Sequence, residues 1–378
     1  MDWFTNSKQS EIKKLIAQLA DVTKRDRTAQ ELIKLGADAI PVLIETLQSQ
    51  NDDLVMPCQH LLARIPSASP QLIKTLETAH PLVRGRAAEI FALSKDKNAM
   101  PTLIESLSGE YYTVRARSAI ALGHIGDSKA IPHLLGLLKD KEDEVRIAAC
   151  FALGLFKDPS TFDEIADVLL DDVKIEVRQA AAKALGDTLH PAAVPFLMEA
   201  LRDSFWWFER EDIVKDLLHA IEKMGEPIVE SLIEALADKE KTVRKYSAMI
   251  LGNLKDVRAI EELGMTLYDL HDEVSNAAGE ALAQFGESAI SVLNEALRHP
   301  EVAVREHAVI SLGKIQSPQV IPLLIEMLKD PERIVRKQVV LSLDGIKDER
   351  VTAALKEIAS NRADRELSML AKQVLESK

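Results

Sequence analysis

Residues Asp140 to Asp158 read DKEDEVRIAACFALGLFKD, and the same outline returns at 171–187 as DDVKIEVRQAAAKALGD, at 238–256 as DKEKTVRKYSAMILGNLKD and at 330–348 as DPERIVRKQVVLSLDGIKD. Asp, a short polar turn, Val-Arg, a run of small residues and Leu-Gly recur in that order. The Val-Arg pairs begin at Val83, Val114, Val145, Val177, Val243, Val304 and Val335, a spacing of about 31 residues or a multiple of it. A second string follows each, as in KAIPHLLGLL, AAVPFLMEAL and QVIPLLIEML. Val145, Ala149, Leu153 and Phe156 recur at helical intervals in the first string, and Ile131, Leu134, Leu135 and Leu138 do so in the second. Each repeat is therefore read as two short amphipathic helices. Gly is expected to close the first helix, and Pro41, Pro101, Pro132, Pro195 and Pro322 share a slot in the first turn of the second, where the missing N–H costs nothing.

A lone helical pair cannot bury its apolar faces, so stacked neighbours must do it. The expected fold is all-α, an α-solenoid of about eleven helical-hairpin repeats spanning 1–378 as one continuous array. Cap helices are expected at about 10–21 and about 364–377. The composition agrees: 47% of residues are hydrophobic and only 4% aromatic, the mixture of closely packed helices.

The DxxxxVRxxAAxALG string followed by AIPxLxxxL resembles HEAT repeats, in particular the subclass named after phycobilisome lyases, and the resemblance covers essentially the whole chain. It implies an internal ladder between adjacent repeats formed by Arg84, Arg115, Arg146, Arg178, Arg244, Arg305 and Arg336 with Asp140, Asp172, Asp238 and Asp330, and likewise Asp269. A basic ligand-binding strip is the other reading of the arginine column. Met56, Val214 and Ser275 fill the arginine slot in three repeats, where a ladder would be interrupted.

In the second helices, the position two residues before the last Leu is occupied by Glu45, Lys74, Glu105, Gly136, Asp167, Glu199, Glu234, Met265, Glu295 and Glu326. If these helices line the concave face, as the resemblance implies, the column is a negative stripe that selects basic protein partners. It is equally what a good helix former at a solvated position looks like. Four consecutive aromatics, Phe205, Trp206, Trp207 and Phe208, read as an insertion between repeats, either a plug over a junction or an anchor for a partner. Tyr111 and Tyr112 lie in the equivalent junction of an earlier repeat.

A net charge of -13 argues against a nucleic-acid partner, and no run of eighteen apolar residues suggests a membrane span. A cytoplasmic protein is expected. Cys58 and Cys150 read as core thiols, and no catalytic, metal or cofactor motif is evident. The absence of any His-Glu dipeptide separates the chain from the HEAT-like di-iron hydroxylases. Three readings remain: a non-enzymatic scaffold or assembly factor that binds a protein partner in an acidic groove, a bilin lyase or chromophore-handling chaperone with the aromatic insertion as a wall, and a stable solenoid with no groove ligand that acts through its ends or by self-association.

Overall fold

The computed structural model describes residues 2–203, 211–361 and 363–376. Among them are 24 α-helices and no strand. One helix, Asp2–Gln18, precedes eleven helical pairs, and Arg365–Glu376 follows them. The described residues fall into two compact units, one made of 2–200 and 211–220, the other of 201–203 and 221–376. Each is an α-solenoid.

Within each unit the first helices lie side by side. Tyr112–Ile125 packs on Pro81–Ser94 and on Asp143–Phe156, and the latter packs on Ile175–Thr188. Second helices lie against the first helix of the following pair, as Ile131–Leu137 does against Asp143–Phe156. A first helix is thus covered on three sides, which explains why it is apolar around most of its circumference. In Asp143–Phe156, Val145, Ala148, Ala149, Cys150, Ala152 and Leu153 are all buried. Burial pushes both Cys58 and Cys150 up to about 12, so both are inert thiols of the core.

The turn between the two helices of a pair follows from local chemistry. The first helix ends on a left-handed residue, Lys95, Lys157 and Lys255 with φ near 53°, or Gly126 with φ 70°. An aspartate comes next and caps a short 3-10 turn: Asp96, Asp127, Asp158 and Asp256 each accept from the N–H two residues on. Pro41, Pro101 and Pro132 then stand in the first turn of the second helix.

The Leu-Gly glycines do not close the helix. Gly123, Gly154, Gly186 and Gly252 lie inside it, and each faces an alanine of the next first helix. A Cβ on Gly123 would stand 2.7 Å from Ala152 Cα, and one on Gly252 would stand 2.7 Å from Ala281 Cα. These glycines set how closely neighbouring first helices approach.

The next residue column shows a cost. Ser118 and Ser247 are wholly buried, and their hydroxyls have no hydrogen-bond partner, where the equivalent residues Ala87, Ala149, Ala181 and Ala278 are alanine. Ser118→Ala and Ser247→Ala should each raise stability by about 1 kcal/mol, since an unsatisfied buried hydroxyl disappears and a better helix former takes its place. Urea denaturation reads this directly; a lower midpoint would show that the hydroxyl is satisfied.

Candidate functional site

The arginine and aspartate columns meet where one second helix hands the chain to the next first helix. Arg115 grips Asp140 with two parallel bonds of 2.8 Å, and its Nη1 also donates to the carbonyls of Gly109 and Glu110. Arg146 holds Asp172 the same way, at 2.6 and 3.0 Å, and Arg305 holds Asp330 at 2.7 and 3.1 Å. Arg244 pairs with Asp269. Asp269 also accepts from the N–H of His271, but Ser275 stands six residues on and the Asp269 carbonyl has no arginine among the described residues. Asp140, Asp172 and Asp330 each have three partners: the carboxylate accepts from the arginine of the preceding pair and from the N–H two residues on, and the carbonyl accepts from the arginine six residues on. For Asp140 these are Arg115, Glu142 N at 3.0 Å and Arg146 Nη1 at 2.9 Å.

Burial works against ionisation of Asp140, Asp238 and Asp269, but the bonds from arginine and from the turn N–H outweigh it. All three carboxyls are held below the ordinary 3.8. Asp238 takes its charged partner from an exposed side chain, Arg202, at 2.8 Å. Arg178 donates to the carbonyl of Asp172, and Arg336 donates to that of Asp330. Arg84 donates to the carbonyl of Leu76 and has no carboxylate partner among the described residues. Met56 is exposed, Val214 is buried, and Ser275 bonds only within its own turn, to the carbonyl of Asp272.

One member was not visible in the sequence. Arg86 reaches back to the carbonyls of Leu47 and Ser49, both at 2.7 Å, and to Asp52 at 3.2 Å. It satisfies the junction that Met56 leaves without an arginine. Its signal was an additional arginine two residues beyond the regular slot of Arg84, next to a repeat whose own slot is empty.

The acidic column is solvent-facing. Glu105, Asp167 and Glu199 in one unit, and Glu234, Glu295 and Glu326 in the other, are exposed and carry no ion pair among the described residues. Glu45 differs, accepting from Lys13 at 3.1 Å. Lys74, Gly136 and Met265 interrupt the column. Phe205, Trp206, Trp207 and Phe208 lie outside the described residues. Tyr111 and Tyr112 are exposed.

On the opposite layer of the first unit, the first helices line an open cavity of about 770 Å³, with Met56, Leu93, Ile120 and His124 beside a polar floor. The floor is a cross-helix network: Gln59 donates to Glu89 at 2.6 Å, and Glu89 pairs with Arg117 at 3.0 Å. Gly85 makes room for it, because a Cβ there would stand 2.6 Å from Arg117 Nη1. Burial, and then the charge of Lys95, hold His124 below its usual range. Among the described residues no group of His, Cys, Asp and Glu could hold a metal ion, and no helix is long and apolar enough to cross a membrane.

Among solved structures, Kap121p aligns over 99% of this chain and 49% of its own, at 15% identity with a TM-score of 0.55. Kap121p bound to Pho4p aligns over 97% of this chain and 50% of its own, at 14% identity and 0.57. The chain thus spans about half the length of these structures, and the likeness is one of fold. The complex of CpcE and CpcF of phycocyanin lyase from Nostoc sp. PCC7120 aligns over 59% of this chain and 91% of its own, at 22% identity with a TM-score of 0.35, too low to bear on function. No curated protein matches the chain. The HEAT repeats family matches residues 69–146, 136–217, 229–305 and 290–376, taking in most of the helical pairs whose junctions are described above, and the chain belongs to that family.

Proposed function

We propose that the chain is a protein-interaction scaffold whose second-helix face receives a basic segment of a partner protein. The observation that carries this is the unpaired state of the acidic column. Elsewhere in the fold the carboxylates at the junctions are bonded three ways, whereas Glu105, Asp167 and Glu199 in the first unit, and Glu234, Glu295 and Glu326 in the second, stand exposed at equivalent positions of second helices, without a cation among the described residues. Such a row favours a complementary charged partner and supplies on-rate and register. The fold is also one in which partner binding is known: Kap121p has been solved bound to Pho4p and to Nup53p. The chromophore-handling alternative rests on Phe205, Trp206, Trp207 and Phe208, and no observation on the described residues favours it.

The test uses a fluorescein-labelled lysine-rich peptide of about 15 residues and its glutamate twin, followed by anisotropy. The lysine peptide should bind, and Glu105→Gln, Asp167→Asn and Glu199→Gln together should weaken it about tenfold at ~50 mM salt, with a shallower salt dependence. Equal binding by the wild type and this triple variant would refute the reading.

A further inference from the structure

We infer that the first helices of pairs two to five carry a second docking surface, of opposite polarity to the acidic column, that receives an acidic amphipathic helix of a partner protein. Four apolar side chains on three of four successive first helices face solvent, all in the first unit: Met56 at 57% exposure, Leu93 at 48%, and Phe151 and Leu155 beyond them. His124 bridges the middle, lining the cavity beside Leu93 and lying 5.8 Å from the Phe151 ring, centroid to centroid. First helices packed side by side are about 9 Å apart, so the strip runs roughly 27 Å, the length of a helix of about five turns. That extent suits a helix laid across the strip, with apolar anchors meeting Met56, Leu93 and Phe151 in turn.

The charges on the rim select the partner. Both carboxylates in the cavity are already engaged, Asp52 by Arg86 and Glu89 by Arg117 and Gln59. Lys95 and Lys157 stand at the ends of their helices beside Leu93 and Leu155, exposed and without an ion pair among the described residues. The neighbouring Asp96 and Asp158 turn their carboxylates back onto the N–H groups of Asn98 and Ser160. Lys95 and Lys157 also hold the left-handed position that Gly126 fills in the pair between them, a conformation that favours glycine. The strip is therefore apolar with unneutralised cations on its edge, in a chain whose net charge is -13.

Two labelled helical peptides of about 18 residues decide the matter, identical in their Leu and Phe face but carrying Glu or Lys on the other. At ~150 mM salt the Glu peptide should bind at least about tenfold tighter than the Lys peptide, against the sign of the whole chain. Leu93→Glu with Phe151→Glu should weaken the Glu peptide about tenfold or more, and Lys95→Glu with Lys157→Glu should invert the preference. The triple variant of the acidic column should bind the Glu peptide as the wild type does, which separates this surface from the one proposed above. All four substituted side chains are exposed, and circular dichroism checks that each variant keeps its helices. The inference is overturned if the Lys peptide binds as well as the Glu peptide, if the strip variants change nothing, or if sedimentation shows a self-association that Leu93→Glu with Phe151→Glu abolishes, since the occupant would then be a second copy.

Discussion

Replacing Gly123 by valine is expected to cost about 3 to 5 kcal/mol, enough to unfold its neighbourhood at ambient temperature. The added Cβ would stand 2.7 Å from Ala152 Cα and 2.9 Å from its Cβ, and a facing helix backbone cannot swing aside as a flexible side chain could. The loss should begin locally, because each pair rests only on its neighbours. Gly123→Ala should also destabilise, by less, since alanine's better helix propensity offsets about 1 kcal/mol of the clash. Gly136 supplies the opposite case: it lies on the exposed side of its second helix, with nothing within 4 Å of an added Cβ. Gly136→Ala should therefore raise stability by about 0.5 to 1 kcal/mol. Urea denaturation of the three variants checks the set, and a Gly123→Val protein as stable as the wild type would mean that the first helices do not approach as described.

Asp330→Asn is the second large effect, an expected loss of about 3 kcal/mol. Arg305 and Asp330 are only 8% and 7% exposed, so removing the carboxylate leaves a guanidinium charge partly buried and held only by carbonyls. Arg305→Met with Asp330→Leu should cost less than the sum of the single variants, because neither then leaves a charge behind. Arg333, which bonds Asp364 in the open, should tolerate alanine with no change outside error. The same chemistry sets the response to acid. Asp140, Asp238 and Asp269 are held below their ordinary 3.8, so their contribution is fully present above that value and is lost as pH falls through the lower folded one. Stability should be flat near neutrality in this respect and fall below about pH 4; a loss already complete at pH 5 would assign acid unfolding to other groups.

Fold class was legible because every pair buries the same faces at the same spacing, so seven Val-Arg pairs carry one message seven times. The glycines were misread for a physical reason. Gly near a helix end is commonly its stop signal, and what distinguishes a contact glycine is the alanine opposite, 29 residues away for Gly123 and Ala152, which becomes a neighbour only once the helices lie side by side. Arg86 was missed because its partners lie up to 39 residues back, outside any local pattern. The apolar strip escaped notice because Leu93 and Phe151 occur in strings whose other apolar residues are core. The acidic column was legible as a row of residue types; its exposure and lack of partners required the packed helices.

The three-way bonding of the junction aspartates also bears on how such a chain can change length. Asp140 serves an arginine 25 residues behind it and another six ahead, and Asp172 serves Arg146, 26 residues behind it, and Arg178, six ahead. Residues 141–172 thus carry one complete set of donors and acceptors, and excising them would bring Arg178 to the sixth place after Asp140, where Arg146 had been. Duplication would work equally well. A cut between Ser49 and Arg86 has no such symmetry, because it would change the span over which Arg86 reaches the carbonyls of Leu47 and Ser49. The junction bonds thus permit gains and losses of whole repeats in the middle of the first unit, whereas near its start Arg86 would have to meet those carbonyls over a different span.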